Sequence, residues 1–289
     1  MTEPTPASGS LPVCPRHPDQ ATGVRCTRCG RPVCPQCMVA APVGFQCTDC
    51  VSAASATVRQ VTTPAGGTPI GKPVVTYTLI GLTAAIFLLQ FALGINEVAS
   101  DWGMWPVGIS VGGEWWRLLT AAFLHGSLLH IAFNMYVLFA LGPTLERILG
   151  HGRYLTLYIL AALGGGVASY VFSDLRTVSV GASGAIFGLM GALIVAGRRL
   201  RYDITQVVIL LAINVAIGFF SPGVDWRAHF GGLVTGAIVA AIFVLPARHH
   251  RALVQTAGLV GVVLILTAMV AWRTAQITEL LAPLGAITV

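Results

Sequence analysis

The sequence has few charged residues for a chain of 289 residues, because Asp, Glu, Lys and Arg together make up only 10% of it. A soluble globular domain carries about 25%. Hydrophobic residues account for 55%, and the mean hydropathy is +0.78. This composition excludes a chain that is soluble along its whole length, although the length allows one or two domains. Most of the chain is therefore expected to face a lipid bilayer.

The sequence also lacks a concentrated basic patch. The formal net charge is +6, but the Lys and Arg residues recur between apolar runs. That spacing is typical of a membrane protein whose basic residues fix its orientation. We therefore expect no nucleic-acid partner.

Cysteine is absent after residue 50, since all seven cysteines lie between Cys14 and Cys50. Residues 1–12 are polar and rich in Pro and Ser, which predicts a disordered N-terminus without a cleavable signal peptide. The cysteine-rich segment is then expected to stay in the cytosol, where reducing conditions disfavour disulfides.

Residues 13–51 hold four pairs of candidate metal ligands, with two residues between the members of each pair. Eight ligands suit two tetrahedral Zn²⁺ sites, and closed four-ligand sites are structural rather than catalytic. The segment has too few apolar residues for a core of its own, so metal would supply its folding energy. Disulfides or redox-active cysteines are the alternative interpretation. The pairs are Cys14 and His17, Cys26 and Cys29, Cys34 and Cys37, and Cys47 and Cys50.

This arrangement resembles B-box and other treble-clef-like zinc fingers, in which ligand pairs interleave. The resemblance implies one site from Cys14, His17, Cys34 and Cys37 and a second from Cys26, Cys29, Cys47 and Cys50. Sequential pairing stays open from the sequence alone. The domain's position at the end of a linker suggests regulation through a cytoplasmic protein or through anionic lipid.

A linker and seven apolar segments are predicted after the zinc domain. Residues 52–73 are rich in Ser, Thr, Gly, Pro and Ala, which is typical of a flexible linker. Each apolar segment is long enough, or nearly so, to cross about 30 Å of hydrocarbon as a helix. The predicted fold is an all-α polytopic membrane protein. The segments span residues 74–93, 117–143, 153–172, 181–197, 204–220, 228–245 and 252–272.

Basic residues divide unequally between the two sides of these helices. With the N-terminus inside, the connections carry nine Lys or Arg residues on the inner side and four on the outer side. The positive-inside rule then predicts a cytoplasmic N-terminus and an external C-terminus. The inner residues are Arg59, Lys72, Arg147, Arg153, Arg198, Arg199, Arg201, Arg248 and Arg251, and the outer ones are Arg117, Arg176, Arg227 and Arg273.

Polar side chains in three of the apolar segments are candidates for a functional site, because an unpartnered polar group is costly in lipid. The second segment contains His125, His130 and Asn134, the fourth contains Ser183, and the sixth contains His229. His130 and Asn134 are four residues apart and share a helix face. The predicted orientation places all three segments' polar groups near the outer surface. His125, close to a helix end, is interpreted as an interfacial residue.

Small residues flank the serine and follow the histidine of the sixth segment. Such faces allow helix backbones to approach closely in lipid. Contact between them would bring His229 against Ser183, and a hydroxyl within hydrogen-bond reach of an imidazole is the minimum for an activated nucleophile. A packing motif without chemistry is the alternative. The small residues are Gly181, Gly184, Gly188 and Gly191 around the serine, and Gly232, Gly236 and Ala240 after the histidine.

Residues 74–245 resemble the rhomboid family of intramembrane serine proteases. The matching elements are Trp116-Arg117, HGSLLHIAFN with His130 and Asn134, GASG with Ser183, and AHFGG with His229. The resemblance implies a six-helix core at residues 74–245, with the seventh helix in residues 246–289. It also implies a Ser183–His229 catalytic dyad that cleaves membrane-protein segments near the outer face through an acyl-enzyme, without a cofactor. A bacterial plasma membrane is the expected location.

The same resemblance implies supporting roles around the dyad. Phe187 stands where other members can have tyrosine, so an aromatic face would support His229 without a phenol hydrogen bond. The implied oxyanion and substrate-positioning residues are His130, Asn134, Gly181 and Gly184, with the backbone N–H of Ser183. A non-catalytic relative that binds membrane clients usually lacks such a dyad. A transporter is disfavoured because the predicted spans contain no carboxylate and the polar groups avoid the midplane.

Overall fold

The structure is a computed structural model that describes residues 10–57, 61–220, 223–247 and 249–284. The chain divides into two compact units, Met1–Gln60 and Val61–Val289. Residues 1–9 of the predicted disordered N-terminus lie outside the described residues, as do Arg59 and Arg248 of the positive-inside comparison.

The first unit consists of two short β-hairpins and one helix. Strand β1 (Val13–Cys14) pairs with β2 (His17–Ala21), and β3 (Met38–Ala40) pairs with β4 (Phe45–Cys47), both antiparallel. Helix α1 (Thr48–Thr57) follows, so the first residues of the predicted linker are helical. Buried cysteines rather than aliphatic side chains form most of the interior.

Among its described residues, the second unit contains six helices that are long and apolar enough to cross a membrane. These are α2 (Val74–Leu93), α6 (Leu128–Leu149), α7 (His151–Phe172), α8 (Ser183–Leu200), α10 (Trp226–Val244) and α11 (Arg251–Leu281). Helix α9 (Thr205–Phe220) is apolar but shorter. The predicted fold class, an all-α membrane protein with a small N-terminal cysteine-rich domain, is confirmed.

The second membrane helix begins later than residue 117, where the sequence predicted it. Residues before it form helix α5 (Arg117–Thr120) and a 3₁₀ turn at Ala121–Phe123, after which Leu124 is extended. Ser127 then caps α6, because its hydroxyl accepts the backbone N–H of His130 at 3.2 Å. Hydropathy does not register such a cap, so the prediction merged two elements into one.

The connection between α2 and α5 contains two further helices, α3 (Ile95–Trp102) and α4 (Pro106–Ser110). The buried side chain of Arg117 holds this connection together. Its guanidinium donates to the backbone oxygens of Ser100 at 2.7 Å and Gly103 at 2.9 Å, and it pairs with Glu114 at 2.5 Å. This buried charge is stable because the guanidinium makes these polar contacts within the protein.

Helices α7, α8 and α10 form the centre of the membrane unit, and glycines set their separation. A Cβ added at Gly232 would collide with the backbone oxygen of Gly184, and one at Gly236 with that of Gly188. The two predicted small faces therefore touch, backbone against backbone.

Glu146 corrects the expectation that the spans contain no carboxylate. It is fully buried in α6, which extends to Leu149 instead of ending at residue 143. Its carboxylate accepts the backbone N–H groups of Val75 and Thr76 at 2.9 and 2.8 Å, and the Thr76 hydroxyl at 2.6 Å. It thus accepts N–H groups of the first turn of α2 that have no partner within that helix. The carboxylate lies at a helix end and not at the centre of a span.

Polar contacts attach helix α11 to the rest of the unit at both ends. Near its start, Gln255 donates to the backbone oxygens of Ala65 at 3.1 Å and Phe243 at 2.9 Å. Near its other end, Thr274 shares a 2.8 Å hydrogen bond with Tyr170. Ala65 itself is fully buried, so part of the predicted flexible linker packs against the membrane unit.

Candidate active site and metal centres

Ser183 is the first residue of α8, and the loop before it is fixed on both sides. The backbone N–H of Gly181 donates to Ala121 at 2.8 Å, and Ser179 forms a β-bridge with Met104. Gly181 has φ of 136°, which only glycine adopts without strain. The Ser183 hydroxyl therefore projects from a turn that backbone contacts hold in place.

His229 lies one turn into α10, beside that serine. Its Nε2 atom is 2.8 Å from Ser183 Oγ, which is a hydrogen-bond distance. The Phe187 ring, one turn after the serine, stacks on the imidazole with 4.2 Å between ring centroids and 11° between planes. The stack limits rotation of the imidazole and keeps its edge directed at the hydroxyl.

His130 and Asn134 are one turn apart on α6, and the His130 ring packs against the Gly181 loop. A Cβ added at Gly181 would be 2.8 Å from both Cε1 and Nε2 of His130, so this ring lies directly against the loop. Asn134 is buried, and its Nδ2 donates to the backbone oxygen of His130 at 2.9 Å. Since an amide nitrogen carries two hydrogens, one donor remains for a ligand.

His125 is fully buried, so its interpretation as an interfacial residue was wrong. Its Nε2 accepts the backbone N–H of Ala182 at 3.5 Å, directly before the serine. Its backbone N–H donates to Gln90 Oε1 at 2.9 Å, and its ring meets that of His130 edge-on at 5.0 Å. Gln90 was not predicted as a site residue. Its amide in the otherwise apolar first span was the feature of the sequence from which it could have been found.

A small cavity of about 20 Å³ lies next to Ser183, between α7 and α8. Its lining includes Ser169, Gly181, Gly184 and the Ala228 residue just before His229. A space of this size accommodates roughly one water molecule. Within the described part of the chain, no carboxylate is hydrogen-bonded to the His229 ring.

The eight candidate metal ligands of the first unit form two clusters. In each cluster the ligand atoms lie within 4.8 Å of one another. One cluster contains Cys14, His17, Cys34 and Cys37, and the other contains Cys26, Cys29, Cys47 and Cys50. The ligands are thus grouped in the interleaved manner, and sequential pairing is wrong.

The distances within the clusters fit a tetrahedral zinc ion. Zn–S and Zn–N bonds of about 2.3 and 2.0 Å give edges of roughly 3.8 Å between sulfurs and 3.5 Å between sulfur and nitrogen. The Cys29 and Cys47 sulfurs are 3.7 Å apart, and His17 Nδ1 is 3.3 Å from the sulfurs of both Cys34 and Cys37. Both donor sets therefore have the chemistry and the dimensions of zinc sites.

The thiols of each cluster differ in pKa. Hydrogen bonds, led by that from the Cys34 backbone, lower the pKa of Cys14 to about 6. Burial, with hydrogen bonds to the neighbouring thiols, raises the pKa of Cys37 to about 11. At Cys26, backbone hydrogen bonds outweigh burial and lower the pKa to about 6, whereas hydrogen bonds to neighbouring thiols raise that of Cys50 to about 12. Three thiolates in one cluster and four in the other cannot share so small a volume unless a cation offsets their charge.

The chain is similar to known proteins in both units. Residues 112–246 match the Rhomboid domain family, and residues 10–41 match the B-box zinc finger family. Rhomboid protease GluP of Bacillus subtilis is 40% identical over 187 residues, which are 61% of this chain and 36% of that protein. Rhomboid protease AarA of Providencia stuartii is 30% identical over 216 residues, covering 63% of this chain and 76% of the relative. The chain thus spans about a third of the length of GluP but most of AarA.

Proposed function

The chain belongs to the rhomboid family, and from this premise we propose that it is an intramembrane serine endopeptidase that cleaves transmembrane segments of membrane proteins. The observation that carries the proposal is the 2.8 Å contact between His229 Nε2 and Ser183 Oγ, with Phe187 stacked behind the imidazole. Nucleophile and base are within reach of each other, as acyl transfer requires.

In the proposed mechanism, Ser183 Oγ bonds to the carbonyl carbon of the scissile peptide while His229 Nε2 takes its proton. The C–N bond then breaks, the amine leaves with that proton, and an ester remains on Ser183. Water attacks the ester, gives its proton to His229, and releases the new carboxyl group as the serine is reprotonated. The small cavity beside Ser183 is a suitable place from which such a water would come.

The negative charge that develops on the carbonyl oxygen needs donors close to Ser183. We assign this role to His130, Asn134 and the backbone N–H of Ser183, because the His130 ring lies against the Gly181 loop and Asn134, one turn later on α6, has an amide hydrogen to spare. Losing one such donor costs about 3 kcal/mol of barrier in other serine proteases. Gly181 and Gly184 leave space for an extended substrate backbone.

The substrate segment must be unwound where it is cut, since a helix hides its carbonyl groups in intrachain hydrogen bonds. Membrane segments with small or helix-breaking residues near one end are therefore the proposed substrates. The excess of basic residues in the inner connections supports a cytoplasmic N-terminus, an external C-terminus and cleavage near the outer face of a bacterial plasma membrane.

Two Zn²⁺ ions are proposed for the first unit, bound by the two interleaved ligand sets. They would hold the hairpins and α1 together, and a closed site with four protein ligands leaves no position for catalysis. The unit itself is proposed to regulate the protease through a cytoplasmic protein or anionic lipid. Its covalent link to the membrane unit keeps it near the bilayer and supports this role.

Cleavage of a single-span fluorogenic substrate in liposomes tests the proposed dyad. Ser183→Ala and His229→Ala should each lower the cleavage rate at least about a thousandfold, as loss of a triad member does in other serine proteases. Ser110→Ala is the matched control, because that serine lies outside the site and its hydroxyl donates to the backbone oxygens of Pro106 at 2.8 Å and Val107 at 3.4 Å within its own helix. Cleavage that survives both dyad substitutions would refute the proposed function.

A further inference from the structure

Asp225, which the sequence analysis did not single out, caps α10 and joins it to α7. Its Oδ1 accepts the backbone N–H groups of Arg227 at 3.1 Å and Ala228 at 3.3 Å. Its Oδ2 accepts the hydroxyl of Ser169, a residue of α7 that is 1% exposed. One carboxylate therefore satisfies two N–H groups at the start of α10 and anchors that start to a neighbouring helix.

The capped turn leads directly to His229. The backbone N–H of His229 donates to the backbone oxygen of Asp225 at 3.3 Å, so the two residues belong to the same turn of helix. A general base works within a heavy-atom distance of about 2.6–3.2 Å from its proton donor. The 2.8 Å distance from His229 Nε2 to Ser183 Oγ falls inside that window. A small displacement of the first turn of α10 would carry the imidazole out of it.

The hydrogen bonds of the Asp225 carboxylate go to the backbone of its own turn and to Ser169, not to the imidazole. Its two oxygens accept three hydrogen bonds, from Ser169 and from the turn itself. Across the described residues, no hydrogen bond joins this carboxylate to the His229 ring. Asp225 is thus not a third member of a catalytic triad.

We propose that Asp225 is a positioning residue that holds His229 at hydrogen-bonding distance from Ser183 by tying the first turn of α10 to Ser169 of α7. The inference rests on the proposed proteolytic function, since it concerns the same site. The inference predicts that the turnover number depends on the contact between Asp225 and Ser169, whereas substrate binding does not.

Three variants test the contacts of Asp225 with Ser169 and with the first turn of α10. One control variant removes a chemically similar cap from another helix. Asp225→Ala removes the cap and the contact with α7, Ser169→Ala removes only the contact, and Asp225→Asn keeps an acceptor for the turn and a group that can donate to Ser169. The control is Asp203→Ala, because Asp203 accepts the backbone N–H of Thr205 at 2.9 Å at the start of α9, as Asp225 accepts N–H groups at the start of α10. For each protein, kcat and KM for a single-span substrate, the rate of Ser183 labelling by a fluorophosphonate, and Tm in detergent are measured.

Asp225→Ala should lower kcat and the labelling rate about tenfold or more with KM unchanged, since misplacing a catalytic group by about 1 Å can cost a hundredfold. Ser169→Ala should show a smaller fall in the same direction. Asp225→Asn should recover most of the activity, and Asp203→Ala should keep the parental kcat.

Parental kcat in both Asp225→Ala and Ser169→Ala would overturn the inference. So would an equal loss in Asp203→Ala, which would indicate general destabilisation, or an Asp225→Asn variant as impaired as Asp225→Ala. If Asp225→Ala does not fold, the kcat values and labelling rates of Ser169→Ala and Asp225→Asn decide whether the inference holds. Failure of the proposed function is distinguishable, because it would appear as cleavage that persists in Ser183→Ala.

Discussion

At the residue scale, the environment of His229 differs from that of a triad histidine. A ring face contacts the imidazole directly, because Phe187 stacks on it at 4.2 Å, whereas no carboxylate among the described residues is hydrogen-bonded to it. Phenylalanine has no hydroxyl, so its contribution is limited to contact and to restricting rotation. Aromatic pairs of this kind contribute about 0.5–1.5 kcal/mol beyond simple burial.

Phe187→Leu therefore tests the stack, because leucine keeps a large apolar side chain but removes the flat ring face. We expect kcat to fall roughly two- to tenfold, which corresponds to the energy of the lost aromatic pair. Phe187→Tyr should retain the activity, since the ring is kept. Steady-state cleavage of the single-span substrate measures both.

The control is Phe243→Leu, since Phe243 is a buried ring of α10 outside the site. It should lower Tm without lowering kcat. Equal kcat in Phe187→Leu and the parent protein would show that the stack does not position the imidazole.

Residues with a distinctive pattern were the ones that the sequence could predict. Ser183, His229 and Phe187 were identified from their motifs and helix positions, and the structure brings all three together. Asp225 was missed because an aspartate before a helix is typical of any cap and carries no sign of its partner on α7. His125 was misinterpreted, since the burial of a histidine near a helix end depends on packing that hydropathy does not encode.

At the element scale, the membrane helices and most of their starts were predictable, but the start of α6 was not. Long apolar runs define a span by composition alone. The start of α6 depends on the hydroxyl of Ser127, and its length determines that Glu146 lies inside a helix. Both features come from single polar contacts, which a hydropathy average over a window of residues does not detect.

Helix α11 offers a prediction at this scale, because one buried side chain ties its start to two other elements. Gln255→Leu removes the donor to Ala65 and Phe243 and leaves two buried carbonyl groups unpaired. We expect the free energy of unfolding to fall by roughly 1–3 kcal/mol, the usual cost of such groups. Unfolding in detergent, followed by circular dichroism, measures the change.

Gln276→Leu is the matched substitution on the same helix, at an exposed position. It should change the free energy of unfolding by less than about 0.5 kcal/mol. If the two variants are equally stable, the amide of Gln255 does not anchor α11.

At the scale of the whole molecule, the protein combines two units with different sources of stability. The membrane unit has an apolar interior of its own, whereas cysteines dominate the interior of the first unit. The ligand spacing predicted the two metal clusters, and the resemblance to interleaved zinc fingers gave their pairing. The extent of α1 could not be foreseen, because its sequence has the composition of a linker.

Removing the proposed Zn²⁺ ions from the full chain with a chelator should unfold the first unit, since the metal would supply its folding energy. Cleavage by the purified protein should stay unchanged, because Ser183 and His229 belong to the membrane unit. Limited proteolysis of residues 10–57 and fluorophosphonate labelling of Ser183 follow the two units separately. A chain without residues 1–60 is the control, and it should label at the same rate.

In cells, the shortened chain should cleave membrane substrates less than the full chain at equal abundance if the first unit recruits partners or lipid. Equal cleavage would contradict the regulatory role. A fall in the labelling rate of the purified, zinc-free protein would instead mean that the dyad depends on the metal.

The glycine contacts between α8 and α10 have a consequence for how this enzyme can vary. Where Gly232 meets Gly184 and Gly236 meets Gly188, main-chain atoms rather than side chains determine the gap between the two helices. No rotamer change can widen or narrow that gap. Side-chain substitutions elsewhere on these helices therefore leave that gap unchanged, and the spacing that brings His229 to Ser183 is a property of the main chain itself.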